Sequence, residues 1–365
     1  MKNIVVIACV VFFSSCGNNN SAQTAIDSSK GLNEHYKSHF TIGVSVSPKS
    51  LKGDEAELIK KHFGSISAEN AMKMGALQPK PNQYYWKDAD SIVAFAKRNG
   101  MKIRGHALVW HQMTPDWFYT DSAGKEVTKE VLLQRIKDHI TTVVRRYKDD
   151  IYAWDVVNEA IADAKDTMYR QSKLFKICGE EFIEKAFEWA HAADPDAILF
   201  YNDYNEVVPV KRAKIIALIK KLKAKSVPVH AIGLQGHWAI NEPKKDELEQ
   251  TLKDFSSLGL PLQITELDIS VYPKVHDARK LRPLEETDIR FTKERELQQR
   301  EKYRMIFELF RKYRNYITGV TFWNISDRHS WLDNFPVKRR KDYPLLFDKD
   351  LKPKKAFWEV VDINR

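Results

Sequence analysis

Cysteine is scarce in this chain of 365 residues, which contains only three. They are Cys9, Cys16 and Cys178, and no CxxC spacing occurs. If the first 15 residues are removed and Cys16 is modified, as argued below, only Cys178 remains as a thiol. A disulfide framework and a thiolate metal site are therefore excluded.

The chain also lacks a Gly-rich phosphate loop, a nucleic-acid-binding motif and a long hydrophobic run. Its N-terminal apolar stretch, residues 4–13, is too short for a bilayer span, which needs about 20 residues. The formal net charge is +10, which could favour an acidic substrate or an anionic surface. However, the basic residues alternate with apolar positions in segments such as 211–225 and 300–314, as on solvated helix faces. Nucleic acid is therefore not an expected partner.

Residues 1–15 have the features of a secretory signal peptide. Lys2 supplies the positive charge, the apolar stretch follows, and Ser14-Ser15 are the small residues before Cys16. This arrangement resembles a bacterial lipobox, which implies cleavage before Cys16, lipidation of its thiol and a polar tether over residues 16–30. The alternative is an ordinary signal peptide that is cleaved a few residues later. We expect export to the cell envelope, membrane attachment through the lipid alone, and one folded domain over residues 31–365.

Strand-like and helix-like segments alternate eight times along that domain. Short apolar, β-branched runs predict strands at 40–46, 65–68, 102–109, 151–157, 198–201, 229–234, 262–267 and 317–323. Each is followed by a segment of helical period, at 54–63, 86–99, 128–147, 180–193, 209–225, 244–257, 295–314 and 355–362. The strands lack polar alternation, which is typical of parallel strands buried on both faces. The pattern predicts an α/β fold with a single (β/α)₈ TIM barrel; the alternative is a doubly wound open sheet, which usually carries a Gly-rich loop.

Polar and aromatic residues are concentrated at the ends of the predicted strands. In a (β/α)₈ barrel these ends meet on one face and form the active site. Hydroxyl groups of a sugar need donors and acceptors, and its ring faces stack on aromatic side chains. The pattern therefore predicts a polar cleft with aromatic walls that suits a sugar chain.

Two of these residues are glutamates that follow apolar runs, Glu159 and Glu266. Cleavage of a glycosidic bond needs one carboxylic acid that protonates the leaving oxygen and one carboxylate that attacks or stabilises the anomeric carbon. Two glutamates from distant strand ends can meet in a barrel and supply both groups. The alternative is that each is a structural ion-pair partner in the barrel.

Five segments, in order and each on its own strand, resemble the motifs of glycoside hydrolase family 10. The similarity extends from about residue 38 to 360, and most known members of the family are endo-β-1,4-xylanases. The resemblance implies endo-hydrolysis of xylan or xylo-oligosaccharides. The matching segments are Glu69-Asn70-x-x-Lys73, Arg104-Gly105-His106-x-Leu108-Val109-Trp110-His111, Trp154-Asp155-Val156-Val157-Asn158-Glu159, Leu234-Gln235-Gly236-His237 and Ile264-Thr265-Glu266-Leu267-Asp268.

The resemblance also implies a role for each matched residue. Glu159 would be the general acid/base and Glu266 the nucleophile of a retaining, double-displacement reaction. Asn158 would bind the 2-hydroxyl of the sugar being cleaved, and His237 would orient Glu266, with Asp268 beside it. The remaining substrate contacts would come from Lys73, His106 and Gln235 around the same sugar, Glu69 and Asn70 around the next sugar, Trp110, Trp323 and Trp331 as stacking walls, and Tyr204 and Asn205 on the leaving-group side.

The family uses no metal and no cofactor, and we expect neither here. A metal site built from His106, His111 and His237 is the alternative, but no HxH or HExxH spacing occurs. We expect a monomer. Two other functions remain open: hydrolysis of a different β-linked glycan, and binding of a glycan by a barrel that has lost catalysis.

Three positions depart from the usual family pattern. Met113 occupies a position where glutamine is common, and Asn324 and Arg339 occupy positions where glycine is common. These changes leave the two glutamates untouched but bear on the sugar contacts. The longest irregular segment, residues 271–294, follows the strand that carries Glu266, and a loop of this length is usually functional or mobile.

Overall fold

The computed structural model describes residue 27, residues 29–275, residue 284 and residues 288–362. The predicted leader with Cys16, and residues 276–283 and 285–287 of the predicted loop at 271–294, lie outside these residues. Within the described part of the chain, no helix is both long and apolar enough to cross a membrane.

Eight parallel strands close into a barrel, as the sequence predicted. The first strand pairs with both the second and the last, and the last also pairs with the strand before it, so that the sheet has no free edge. The barrel strands are β1 (Thr41–Val46), β2 (Ser65–Ala68), β3 (Lys102–Gly105), β5 (Ala153–Asn158), β6 (Ile198–Asp203), β7 (Ala231–Leu234), β9 (Leu262–Ser270) and β10 (Ile317–Phe322).

Helices surround the barrel and begin and end within two residues of the predicted bounds. The eight that follow the strands are α2 (Gly53–His62), α4 (Lys87–Arg98), α5 (Lys129–Arg146), α7 (Glu181–Ala193), α8 (Pro209–Ala224), α9 (Lys245–Ser256), α10 (Lys293–Lys312) and α11 (Lys355–Val361). Local chemistry sets several of their starts. The hydroxyl groups of Thr128 and Thr292 accept hydrogen bonds from the first turns of α5 and α10, and Pro209 opens α8, where a missing N–H costs nothing.

Three short helices and two short strands were not predicted. They are α1 (Leu32–His35), α3 (Met74–Leu77), α6 (Lys173–Cys178), β4 (Val109–Trp110) and β8 (His237–Ala239). Each spans six residues or fewer, which is too short for a period to be recognised in the sequence.

The third predicted strand, 102–109, was wrong as a single element. Strand β3 ends at Gly105, and the chain pairs again with β5 only at β4. The interruption occurs because His106 turns its ring to Asp155 inside the barrel, with 2.8 Å between Nδ1 and Oδ2. The backbone N–H of Leu108 then donates to the carbonyl of Asp155.

Two neighbouring residues of β5, Trp154 and Asp155, are both fully buried, on opposite faces of the strand. Trp154 is fully buried, as expected for a core residue, and a Cβ on Gly105 would lie 2.1 Å from its ring. Glycine is therefore required beside Trp154. On the other face, the guanidinium of Arg104 donates to both carboxylate oxygens of Asp155, which compensates for the burial of the two charges.

Candidate active site

The two candidate glutamates lie at the same end of the barrel, on strands separated by two others. Glu159 follows the last residue of β5, and Glu266 is the middle residue of β9. Both are almost completely buried, with 6% and 5% of their surface exposed. Their carboxylates therefore lie in a low-dielectric setting, where neighbouring charges act strongly on their protonation.

Three buried amide side chains connect the two glutamates. The Asn202 side-chain N–H₂ donates to Glu266 Oε1 at 2.8 Å and to Asn158 Oδ1 at 2.9 Å. Gln235 donates to Glu159 Oε1 at 3.0 Å and to Asn158 Oδ1 at 3.3 Å, while Asn158 donates to Glu159 Oε1 at 3.1 Å. Because every bond has a defined donor and acceptor, the network fixes the amide orientations.

The barrel strands place Asn202 where the bridge needs it. Asn202 and Asn158 are register partners on β6 and β5, and Thr265 on β9 donates to Asn202 Oδ1 at 2.6 Å. On β7, Gly233 leaves the necessary space, since a Cβ there would lie 2.2 Å from Asn202 Oδ1. The sequence placed Asn202 at a strand end but gave it no role.

The surroundings of Glu159 favour the protonated form of its carboxyl group. Burial is the main cause of its raised pKa, and the charges of Asp203 and Glu266 raise it further, although the hydrogen bond from Gln235 opposes this. Asp203 is itself fully buried. A carboxyl group with a raised pKa can supply a proton near neutral pH.

The surroundings of Glu266 have the opposite effect. Burial would raise the pKa of Glu266, but His106, His237 and Lys73 outweigh it and lower the pKa to about 2. His237 Nε2 lies 3.2 Å from Glu266 Oε2, and His106 Nδ1 lies 3.9 Å from Glu266 Oε1. Glu266 is therefore ionised at neutral pH and can act as a nucleophile.

A second carboxylate maintains the charge of His237. Its Nδ1 lies 3.0 Å from Asp268 Oδ2, and the indole N–H of Trp331 donates to the same oxygen at 2.8 Å. Burial would lower the pKa of His237, but Asp268 and Glu266 raise it to about 10. The imidazole is therefore a cation that bridges two carboxylates.

Lys73 lies between the predicted aromatic walls. Its ammonium is 4.6 Å from the centre of the Trp110 ring and 6.0 Å from that of Trp323, and it donates to Asn70 Oδ1 at 2.9 Å. Burial lowers the pKa of Lys73, while Glu266, Glu69 and Glu159 oppose this shift. The ammonium thus lies within the field of all three glutamates.

The aromatic side chains form one side of the cleft. The rings of Trp323 and His106 meet edge to face at 5.1 Å, and Trp331 lies against His237 at 4.9 Å. Phe335, which the sequence did not single out, stacks on Trp331 at 5.3 Å and is 58% exposed. Trp331 lies in a short 3₁₀ turn after β10, so no strand-end pattern identified it.

Tyr204 and Asn205 lie on the far side of Glu159, but other protein groups engage both. The Tyr204 hydroxyl donates to Asp163 at 2.5 Å and accepts from Arg170 at 2.7 Å. Lys274 donates to Asn205 Oδ1 at 3.1 Å and to the His237 carbonyl at 2.9 Å. These contacts connect the segments after β5, β6 and β9 with one another and with the first residue of β8.

Two of the departures from the family pattern take the backbone conformation that glycine favours. Asn324 has φ 125° and Arg339 has φ 63°. Both are strained positions for a residue with a side chain. Asn324 gains a contact in exchange, since it donates to Glu69 Oε2 at 3.4 Å. Met113 is half-buried, and its carbonyl accepts from the N–H of Gly75.

No group of three or more histidine, cysteine, aspartate or glutamate side chains in the described residues is arranged to hold a metal ion. Of the three candidate histidines, two contact the carboxylate of Glu266. The third histidine is His111. Burial, together with the charges of Arg170 and Lys211, lowers its pKa to about 4.

Cys178 is buried, and burial raises its pKa to about 12. It is therefore a packed thiol rather than a nucleophile.

Comparison with known proteins places this site in a family. The chain is 50% identical over 330 residues to a beta-1,4-xylanase of Dictyoglomus thermophilum, covering 90% of each chain. It is 47% identical over 330 residues to endo-1,4-beta-xylanase B of Paenibacillus barcinonensis, covering 90% of this chain and 97% of the relative.

Solved structures agree with the sequence comparison. A crystal structure of xylanase XynB from Paenibacillus barcinonensis, complexed with a conduramine derivative, superposes with a TM-score of 0.86 at 46% identity, covering 91% of this chain and 98% of the other. A mutant structure in complex with xylotriose superposes with a TM-score of 0.85 at 43% identity, covering 91% and 99%. The model of glycosyl hydrolase family 10 matches residues 31–363, and the chain belongs to that family.

Proposed function

We propose that the protein is an endo-1,4-β-xylanase that hydrolyses xylan or xylo-oligosaccharides with retention of configuration. The observation that carries this proposal is the opposite electrostatic setting of Glu159 and Glu266 at the same end of the barrel. One carboxyl group has a raised pKa and the other a pKa of about 2. The similarity to proteins named endo-1,4-beta-xylanases supports the choice of substrate.

The reaction assigns one role to each glutamate. Glu159 gives its proton to the glycosidic oxygen while Glu266 attacks the anomeric carbon, so that the leaving sugar departs and a glycosyl ester forms on Glu266. Ionised Glu159 then takes a proton from a water molecule that attacks the same carbon. This second step releases the sugar and restores both carboxyl groups.

The surrounding residues bind and orient the sugar chain. Asn158 uses one side-chain N–H on Glu159, so that its second N–H can donate to a 2-hydroxyl group. Lys73, His106 and Gln235 contact the same sugar, and His237 with Asp268 holds Glu266. The next sugar lies at Glu69 and Asn70, rings stack on Trp110, Trp323 and Trp331, and the leaving-group side is formed by Tyr204 and Asn205.

The N-terminal segment determines where the enzyme works. The proposed organisation is a signal peptide at 1–15, a lipidated Cys16 with a tether to residue 30, and a catalytic domain at 31–365 that acts as a monomer in the cell envelope. Cys16→Ala tests the anchor. We expect the wild-type chain to incorporate a radiolabelled fatty acid and to partition into detergent, and the variant to do neither; equal partitioning would contradict the anchor.

The proposed activity is tested with the domain from residue 31 on linear xylan and, in parallel, on a soluble cellulose derivative. We expect mixed short xylo-oligosaccharides to appear early, with little product from cellulose and with the β-anomer formed first in the NMR spectrum. Release of a single small product or a preference for hexose glycans would contradict endo-xylanase activity. Binding without turnover would indicate a glycan-binding protein.

A further inference from the structure

The backbone of Glu159 has a conformation that its neighbours must hold in place. Its φ angle is 59°, in the left-handed region, which is unfavourable for an L-residue because Cβ crowds the backbone carbonyl oxygen. Such conformations persist where surrounding contacts over-determine them, and they cluster at functional sites. The residues immediately after Glu159 make contacts of this kind.

A single buried hydroxyl accepts two backbone N–H groups from that segment. The N–H of Ala160 lies 3.1 Å and the N–H of Ile161 3.2 Å from the Tyr201 hydroxyl. Two donors occupy both lone pairs of the oxygen, so its own proton must point elsewhere. It points to Asp203, whose Oδ2 lies 2.5 Å away.

Lys211 completes this arrangement from the other side. Its ammonium lies 3.1 Å from Asp203 Oδ1 and donates to the carbonyl of Ile161 at 2.8 Å. Tyr201, Asp203 and Lys211 are all buried. The segment after Glu159 is thus held through two N–H groups and one carbonyl by a buried trio, of which Asp203 and Lys211 also contact Tyr204.

The carboxyl group of Glu159 depends on this backbone for its position. Asn158 and Gln235 both donate to Oε1, and the indole of Trp110 also lies close to the carboxyl group. A general acid must lie within hydrogen-bond reach of the oxygen that it protonates, and small displacements reduce the rate strongly. Loss of the backbone support would therefore affect proton transfer more than binding.

We propose that Tyr201, Asp203 and Lys211 form a positioning unit for the acid/base glutamate, with the Tyr201 hydroxyl as its central contact. The inference rests on the proposed role of Glu159 as the proton donor. The unit is a set of positioning residues rather than catalytic residues, since it acts through the backbone of Glu159 and contacts no reacting atom.

The test uses aryl β-xylobiosides whose leaving groups differ in their need for a proton. A phenyl leaving group needs general-acid assistance, whereas a dinitrophenyl group leaves readily without it. Tyr201→Phe removes only the central hydroxyl. We expect kcat/KM for the phenyl substrate to fall about tenfold, a part of the 10²–10⁴-fold contribution of a general acid, and kcat/KM for the dinitrophenyl substrate to stay within about twofold.

Tyr36→Phe is the matched control. Tyr36 is equally buried, and its hydroxyl donates to the Val360 carbonyl at 2.6 Å and accepts from Arg311, far along the chain from the cleft residues. It should lower the melting temperature without changing the ratio of the two substrates. An equal fall of both substrates in Tyr201→Phe, or no fall in either, would overturn the inference.

Glu159→Ala distinguishes a failure of the proposed role of Glu159 from a failure of the positioning unit. It should lose turnover of the phenyl substrate, keep the first step with the dinitrophenyl substrate and form a glycosyl azide when azide is added. If Glu159→Ala lacks this pattern, the proposed role of Glu159 fails. If it shows the pattern and Tyr201→Phe does not, only the positioning unit fails.

Asp203→Asn keeps the inference testable if Tyr201→Phe does not fold. A neutral amide holds the Tyr201 hydroxyl and Lys211 more weakly than a carboxylate does. At a pH where Glu159 is protonated in both proteins, we expect a fall of about threefold for the phenyl substrate only, a fraction of the general-acid contribution. A kcat/KM equal to that of wild type for both substrates would contradict the proposal.

Discussion

The two glutamates that we propose to be catalytic have nearly the same burial but opposite surroundings. Glu159 has amide donors and a buried carboxylate, Asp203, nearby, and its pKa is raised. Glu266 lies among His106, His237 and Lys73, and its pKa is lowered to about 2. Burial alone would raise both pKa values, so the difference comes from the charges that neighbouring strands bring to each side.

The largest expected effect comes from replacement of Glu266, the proposed nucleophile, which lies among His106, His237 and Lys73. Glu266→Gln should lower kcat on xylan by about 10⁴-fold or more, since a covalent catalyst has no substitute in the cleft. Initial rates of reducing-end release measure this.

Glu206→Gln is the matched change for Glu266→Gln. Glu206 is a buried glutamate that accepts from the Trp238 indole at 2.9 Å and lies outside the catalytic pair. We expect its kcat to stay within about threefold of wild type, as for a site without a named catalytic role. Retention of more than about a hundredth of the activity in Glu266→Gln would mean that Glu266 is not the nucleophile.

A smaller effect is expected when the cationic side is weakened but the nucleophile is kept. His237→Asn removes a positively charged neighbour, which raises the pKa of Glu266. The acid limb of the profile of kcat/KM against pH should therefore move to higher pH, and kcat should fall on the order of 10²-fold, as for the loss of one charge-stabilising donor. His62→Asn, a buried histidine at the end of α2, should leave the acid limb in place; an unmoved acid limb in His237→Asn would break the comparison.

Asp203→Asn changes the surroundings of Glu159 instead of those of Glu266. The negative charge of Asp203 raises the pKa of Glu159, so that its removal lowers this pKa. The basic limb, where Glu159 loses its proton, should move to lower pH, while the acid limb stays. A shift to higher pH would show that Asp203 does not act on Glu159 through its charge.

The smallest expected effect is on stability. The pKa of His237 is raised to about 10 in the folded protein, against about 6.5 when unfolded. Its stabilising contribution is therefore fully present below pH 6.5 and is lost as the pH rises through 10. The difference in unfolding free energy between wild type and His237→Asn, from urea titrations, should shrink between about pH 7 and pH 10.

His62→Asn is again the control for this measurement. Burial lowers the pKa of His62 to about 4, so that His62 is neutral in both the folded and the unfolded protein at alkaline pH. The stability difference between wild type and His62→Asn should be constant between about pH 8 and 10. A parallel decline for both variants would mean that His237 carries no such linkage.

The barrel was predictable from the sequence because its strands and helices have clear periods. The eight strand positions and the bounds of the long helices agree with the structure to within a few residues. The interruption after Gly105 was missed because it depends on the contact of His106 with Asp155, two residues that are distant in sequence. An apolar run in the sequence reflects local structure and therefore does not indicate a contact between distant residues.

The sequence predicted which residues form the site better than it predicted which of them contact one another. Residues in the family motifs could be assigned one by one, and the structure brings them to one end of the barrel. The roles of Asn202, Asp203 and Tyr201 could not be assigned, because they follow from strand register and from buried partners on other strands. A strand-end Asn-Asp pair was visible, but only the register of Asn158 with Asn202 gives it a function.

Direct titration of the two carboxyl groups tests the central claim most directly. Glutamate labelled with ¹³C at the carboxyl carbon would be followed by NMR across the pH range, with Glu159→Gln and Glu266→Gln assigning the two signals. The account predicts that Glu159 titrates above the ordinary glutamate range and that Glu266 stays ionised down to a pH of about 2. Titration of both near the ordinary value, or in the reverse order, would contradict it.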